Sequence, residues 1–213
     1  MDTINTSTVM NENRLAGILL IVGALITIVT ILFEYKIGWI GVDRTRSETP
    51  QFLLENWNRM KFIWSWQTFG YFISTLAYFV FFKNSQGILS LFWSILILCE
   101  CLKVVAMCLT LGSYQPALEV FSSNPEVFNT IGGGIRTLYA TAQLGGLFLM
   151  VVFIIETFKK NGVVHKWMGI TILAFVLIAI GIGVATTIPV KVTGTSSFLI
   201  PIVLGLGYLK NKN

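Results

Sequence analysis

The sequence predicts an all-α polytopic membrane protein, a single integral membrane domain built as a bundle of six transmembrane helices. Of its 213 residues, 54% are apolar and only 12% are charged, whereas soluble domains carry roughly 25% charged residues. The apolar residues fall into continuous runs of about 20, the length that crosses a hydrocarbon core of roughly 30 Å. A soluble fold of this size cannot bury so many such runs, so the lipid bilayer is the expected surrounding.

The first apolar run, residues 14–33, follows a polar segment that lacks a positive n-region. It also ends without a small-x-small cleavage signal, so it is predicted to be a first span rather than a signal peptide. The further predicted spans are residues 62–82, 87–111, 136–158, 166–189 and 193–209. The last is the shortest and contains Pro201, which membrane helices tolerate.

The connections between these spans differ in character. Residues 34–61 form a long polar connection whose tryptophan-rich second half is predicted to be an interfacial helix leading into the second span. The third connection, residues 112–135, contains two prolines and ends in Gly132-Gly133-Gly134. Because this glycine run precedes a predicted helix start, its N–H groups are a weak candidate for holding an anion.

Six spans place both termini on the same side of the membrane. Lysine and arginine counts on the two sides are equal, but the side with the termini concentrates them in short loops beside span ends, as at Lys83 and in residues 159–166. The positive-inside rule is strongest in such loops. We therefore predict a multi-pass protein of the cell membrane with both termini in the cytoplasm.

Several functional classes find no support in the sequence. The net charge of +5 comes from residues in loops and tails without basic-aromatic interleaving, so no nucleic-acid partner is expected. Three cysteines lie in one predicted span, the only histidine is His165, and no metal-ligand spacing occurs, so neither a metal nor another cofactor is expected. Nucleophile, zinc-protease and phosphate-loop motifs are also absent, so the sequence predicts no catalytic residues and no enzyme.

The third predicted span carries a glutamate and a lysine one helical turn apart, Glu100 and Lys103. An ionisable side chain at this depth is costly, so it is expected to face other helices or a water-filled cavity. The i,i+3 spacing puts both side chains on one helix face, where they can pair. The pair is either a structural device that fixes helix packing or part of a ligand or proton pathway.

Other polar groups are expected to join this pair in the outer half of the membrane. On the fourth span, Arg136, Tyr139, Gln143 and Gly146 recur at helical spacing and form a polar stripe. Estimated depths along each span predict a cavity, open to the extracytoplasmic side, whose lining is Glu34, Gln67, Lys103, Arg136 and Gln143. Separately, the patterns Ala142-x-x-x-Gly146 and Gly181-x-x-x-Ala185 are typical of close helix packing.

Short motifs connect the chain with a known group of sequences. They are Arg14-Leu-Ala-Gly17 at the start of the first span, Glu100 in the third, Lys166-Trp-Met-Gly169 at the start of the fifth, and the closing stretch Ile202-Val-Leu-Gly-Leu-Gly-Tyr-Leu209. In these features the chain resembles an uncharacterised bacterial family of six-span membrane proteins, a domain of unknown function. The resemblance implies a bacterial cytoplasmic membrane and supplies no activity.

Two functions therefore stay open. One is a non-enzymatic protein for small-molecule or proton-coupled transport or sensing, built around a polar interior near Glu100 and Lys103. The other is a structural or accessory subunit that works with another membrane subunit and has no ligand of its own. A cavity that reaches the pair favours the first, and a dry, closely packed pair favours the second.

Overall fold

The computed structural model describes residues 6–45, 47–189 and 193–210, which form an all-α structure, as the sequence predicts. The helices are α1 Thr6–Lys36, α2 Glu48–Asn84, α3 Ile88–Glu119, α4 Pro125–Gln143, α5 Gly145–Phe158, α6 Lys166–Ala185 and α7 Leu199–Lys210, with a 3-10 helix, Gly194–Phe198, directly before α7. Only Leu144 separates α4 from α5. The predicted position of the termini concerns chain ends, residues 1–5 and 211–213, that lie outside the described residues.

Four helices among the described residues are long and apolar enough to cross a membrane, fewer than the six predicted. They are Asn11–Lys36, Ile88–Glu119, Pro125–Phe158 and Lys166–Ala185. The C-terminal helix, Gly194–Lys210, is too short to be counted with them. Helix α2 is long enough, but its tryptophans, tyrosines and Gln67 lower its mean hydropathy.

The chain between α3 and α5 differs from its predicted form. Residues 112–135 are not a long loop, because α3 continues to Glu119 and α4 begins at Pro125. Proline suits the first helical position, where its fixed φ is already helical and its missing N–H is not needed. The glycine run therefore lies inside α4, where its N–H groups are used within the helix, and the idea of an anion cradle there was wrong.

The predicted interfacial helix and second span form one continuous helix, α2. Just before it, the Thr45 N–H donates to Glu48 Oε2 over 2.7 Å and the Glu48 N–H donates to the Thr45 hydroxyl over 3.3 Å. Such reciprocal bonds satisfy backbone donors at a helix start. The hydrogen bonds from the Thr45 N–H and hydroxyl also lower the pKa of Glu48.

Helices α1, α2 and α3 form an antiparallel core, with α2 between the other two and α7 packed on α1. Lys83 near the end of α2 binds Glu12 near the start of α1 at 3.1 Å, so these two ends lie together. We call this end of the bundle the basic end. The main apolar cluster fills the bundle and includes Leu20, Phe81, Trp93, Phe153, Ile200 and Leu204.

A second apolar cluster lies at the opposite end. With 37 residues α2 is about 55 Å long, and with 32 residues α3 is about 48 Å long, so both exceed a hydrocarbon core of roughly 30 Å. There the start of α2, the end of α3 and the start of α4 enclose what we call the aromatic cap. Its buried residues are Leu53, Trp57, Met60, Ile63, Trp64, Tyr71, Met107, Ala117, Leu118 and Phe128.

Candidate functional site

The candidate site is built around the pair on α3. Lys103 Nζ lies 2.7 Å from Glu100 Oε1, and the side chains of Lys103 and Glu100 are only 14% and 9% exposed. By helical rise, Glu100 lies about 18 Å from the start of α3, close to the middle of the bundle. A charged pair at this depth is tolerated when each partner neutralises the other.

A cavity of about 390 Å³ reaches this pair. Its walls come from α1, α2, α3, α4, α5, the 3-10 helix and the start of α7. The residues that line it include Tyr71, Ser74, Tyr78, Leu96, Glu100, Lys103, Tyr139, Gln143, Leu149 and Ser197. The volume falls within the range of small-molecule sites, roughly 300–1,000 Å³.

Three tyrosines form one side of the cavity. The Tyr71 and Tyr139 hydroxyls are hydrogen-bonded and so join α2 to α4. Lys103 Nζ lies 5.3 Å from the centroid of the Tyr71 ring, within the range of a cation–π contact. Tyr78 lies two helical turns further along α2 and packs against Trp93, with ring centroids 5.5 Å apart. The ion pair is thus held in an aromatic setting.

Several polar groups of the cavity keep unused hydrogen-bonding capacity. Glu100 Oε2 is buried and has no hydrogen-bond partner in the described part of the chain. Lys103 uses one of its N–H groups on Glu100, and within residues 6–45, 47–189 and 193–210 no other acceptor contacts it. A buried acceptor without a donor costs about 1–3 kcal/mol, more when it is charged.

Two departures from regular α-helical hydrogen bonding border the same cavity, although the backbone of Leu144 itself stays helical. At the junction of α4 and α5, Gln143, Gly145 and Gly146 line it, and in the 3-10 helix Gly194 and Ser197 do so. Within a membrane, irregular backbone is tolerated only where it is buried in protein or lines a cavity.

The structure places the six candidate residues from the sequence in different surroundings. Glu100, Lys103 and Gln143 line the cavity together. Gln143 is exposed overall and therefore lies at the rim. Glu34, Gln67 and Arg136 do not line this cavity, in contrast to what their estimated depths predicted.

Glu34 lies in the base of the aromatic cap. It is 1% exposed, and Trp64 Nε1–H donates to its Oε1 over 2.8 Å. The Trp64 ring meets the Trp39, Trp57 and Tyr114 rings edge-on. The carboxylate is thus closed off by aromatic rings instead of facing open space.

Gln67 and Arg136 are separated from the cavity for opposite reasons. Gln67 is 1% exposed between packed helices, and its Nε2 has no hydrogen-bond partner among the described residues. Arg136 is exposed on the outer face of α4, whose buried face carries Phe128, Gly132 and Ile135. Neither side chain is placed to touch a ligand next to Glu100.

Sequence reasoning missed the α2 wall of the site. Tyr71, Ser74 and Tyr78 all line the cavity, and their spacing of three and four residues puts them on one helix face. That stripe was visible in the sequence, but it lies among many other aromatic residues of α2. The sequence of the 3-10 helix contains no comparable stripe of residues.

A second carboxylate was also missed as a buried group. Glu156, near the end of α5, is 1% exposed, binds Lys159 and accepts the Val163 N–H over 3.1 Å. The Tyr208 hydroxyl donates to the same carboxylate over 3.5 Å. Because protein groups occupy both of its oxygens, Glu156 connects α5, the loop before α6 and α7 as a structural anchor.

Comparisons with protein-family models, curated proteins and solved structures found no match for the chain.

Proposed function

We propose that this chain is a six-span protein of the cell membrane that binds a small molecule beside Glu100 and Lys103, for transport or sensing and without catalysis. The observation that carries the proposal is the cavity of about 390 Å³ that reaches the buried pair. A pair that only fixes packing needs no such space around it, whereas a ligand that donates a hydrogen bond there would offset the cost of the unpartnered Glu100 oxygen.

Six crossings are supported by the surroundings of α2. Its two neighbours, α1 and α3, are both span candidates, and α2 packs between them. Within residues 62–82, the side chains that α2 leaves exposed are large and apolar except for Ser65: Phe62, Trp66, Phe69, Phe72, Leu76, Phe79 and Phe82. Such a surface is suited to lipid. The 3-10 helix with α7 would complete the last crossing.

The test compares water access to the cavity with access to the lipid-facing surface at the same depth. In a background with the three native cysteines replaced by alanine, Ser74→Cys places a thiol in the cavity wall. The matched control retains only Cys101, which is exposed on the outer side of α3 next to Glu100. Each protein is treated with a charged methanethiosulfonate reagent, which reacts with the thiolate.

We expect the Ser74→Cys thiol to react on the order of tenfold faster than Cys101, because thiolates form in water and not in lipid. Equal, slow reaction of both thiols would show that the cavity is dry. That result would overturn the proposal in favour of a structural or accessory subunit.

A further inference from the structure

We propose that the ligand of this cavity is a small zwitterion, with an ammonium and a carboxylate close together on a short apolar body, as in an amino acid. This inference rests on the proposed ligand-binding function. It names the class of molecule that the unused groups of the site would recognise.

The charged residues of the cavity wall have no net charge. Glu100 and Lys103 neutralise each other, and Tyr71, Ser74, Tyr78, Tyr139 and Gln143 are uncharged. A ligand with a net charge would bring an uncompensated charge into a site of low dielectric, which is strongly unfavourable. A zwitterion adds two charges of opposite sign and leaves the total at zero.

Glu100 and Lys103 also have hydrogen-bonding groups that their own bond does not use. Within the described residues, Glu100 Oε2 has no donor and Lys103 binds only Glu100 Oε1. Once the Glu100 carboxylate turns its buried Oε2 toward the cavity, a ligand ammonium on Glu100 and a ligand carboxylate on Lys103 would satisfy both residues. The four charges would then alternate in sign, the arrangement in which each group is attracted by its neighbours.

The remainder of the cavity wall combines polar and apolar side chains. The Tyr78 hydroxyl makes no hydrogen bond with other described residues, so it is available to a polar group, whereas the Ser74 hydroxyl packs against α1 at Gly23. Other lining residues are apolar: Ala24, Ile31, Leu96, Leu149, Phe198, Ile200 and Pro201. The wall therefore suits a ligand whose charged end is followed by a short hydrocarbon part.

The experiment uses four probes with the same five-carbon chain. They are norvaline as the zwitterion, pentylamine as the cation, pentanoate as the anion and pentanamide as the uncharged polar compound. The melting temperature of the purified full-length protein is measured in lipid nanodiscs with each probe. We expect norvaline to raise it by about 3 °C near ten times its Kd, and the other three to raise it less.

Charge variants distinguish a ligand-binding pair from a purely structural one, because only a ligand-binding pair should change which probe stabilises the protein most. Glu100→Gln leaves the positive charge of Lys103, so pentanoate should become the most stabilising probe. Lys103→Gln leaves the negative charge of Glu100, so pentylamine should do so. The wild-type series decides the question by itself if either variant does not fold.

An equal or larger rise of the wild-type melting temperature with pentylamine, pentanoate or pentanamide would overturn the proposal of a zwitterionic ligand. So would the lack of any shift with norvaline. The proposed function fails separately, because it depends on labelling of the Ser74→Cys thiol and not on any of these four probes.

Discussion

At the residue scale, three buried carboxylates differ in how their oxygens are satisfied. Glu156 receives a lysine, a backbone N–H and a tyrosine, and Glu34 receives the Trp64 indole. Glu100 has Lys103 on Oε1 and nothing on Oε2 within the described residues. Of these three carboxylates only Glu100 borders the cavity, which is why we propose a ligand there.

The Glu100–Lys103 pair should show strong energetic coupling. Removing either charge leaves the other buried and uncompensated, so Glu100→Ala and Lys103→Ala should each destabilise the protein by about 3 kcal/mol. The double variant should lose clearly less than the sum. Thermal unfolding of all four proteins in detergent closes the double-mutant cycle. Additive losses would mean that the two side chains do not interact.

Trp64 should contribute more to stability than its neighbour Trp66. Trp64→Phe removes the 2.8 Å hydrogen bond to the Glu34 carboxylate, and a hydrogen bond to a charged group contributes about 1.5–3 kcal/mol. Trp66→Phe is the matched control, because Trp66 is 46% exposed and exposed substitutions usually change stability by less than about 0.5 kcal/mol. Unfolding in detergent measures both. Similar losses in the two variants would contradict the assigned role of the Glu34 contact.

Part of the site could be predicted at this scale. The cost of a charge in lipid points to Glu100 and Lys103, and helical periodicity adds Gln143. Glu34 and Arg136 were misplaced because depth along a helix does not tell which face is buried. Their surroundings depend on which helices are neighbours, and that information is not contained in one sequence.

At the element scale, close helix contacts are made at glycines other than those in the predicted small-residue patterns. A Cβ on Gly17 would lie 2.7 Å from the Gly205 carbonyl oxygen, so α1 and α7 touch through their backbones. Gly146 and Gly181, which the patterns selected, have open space where a Cβ would be. The spacing of small residues was therefore a poor guide, because glycine in an apolar helix also occurs on faces that contact no other helix.

The contact between α3 and α5 gives a matched pair of substitutions. A Cβ at Gly145 would lie 2.8 Å from Cys99 Cβ, whereas a Cβ at Gly146 would meet nothing within 4 Å. Gly145→Ala should therefore destabilise the protein by about 1–3 kcal/mol through overpacking, and Gly146→Ala should change stability by less than about 0.5 kcal/mol. Thermal unfolding in detergent measures the difference.

A second substitution tests the cause of that loss. Cys99→Gly removes the Cβ that the new alanine would meet, so Gly145→Ala should cost less stability in the Cys99→Gly background than in the wild-type protein. An equal cost of Gly145→Ala in the two backgrounds would show that the loss has another origin than the contact between α3 and α5.

The order and type of elements were more predictable than their ends. Apolar runs of about 20 residues located most of the helical segments, but the predicted fourth span corresponds to α5 and only the second half of α4. The boundary between α4 and α5 at Leu144 is not indicated by a proline in the sequence. The extensions of α2 and α3 beyond the membrane thickness depend on packing in the aromatic cap, a tertiary effect that hydropathy does not report.

At the scale of the whole molecule, the two ends of the bundle are chemically different. The basic end carries Lys83 in the last turn of α2 and Lys159 in the short connection after α5, next to Glu12 and Glu156. The other end carries the aromatic cap and the longer connection between α1 and α2. Short basic loops favour the cytoplasmic side, so the basic end should lie in the cytoplasm and the cap outside.

This orientation and the crossings of α2, α3 and the α4–α5 segment can be tested together by cysteine labelling in intact cells. In the background without native cysteines, single cysteines replace four exposed loop residues: Asp43, Gln86, Ser122 and Asn161. If α2 crosses the membrane, Asp43→Cys and Ser122→Cys should react with an impermeant maleimide from outside, and Gln86→Cys and Asn161→Cys only after permeabilisation. Labelling of positions 43 and 86 from the same side would show that α2 does not cross. The complete reverse of the expected pattern would keep these three crossings and invert the protein, because the positive-inside rule concerns only orientation.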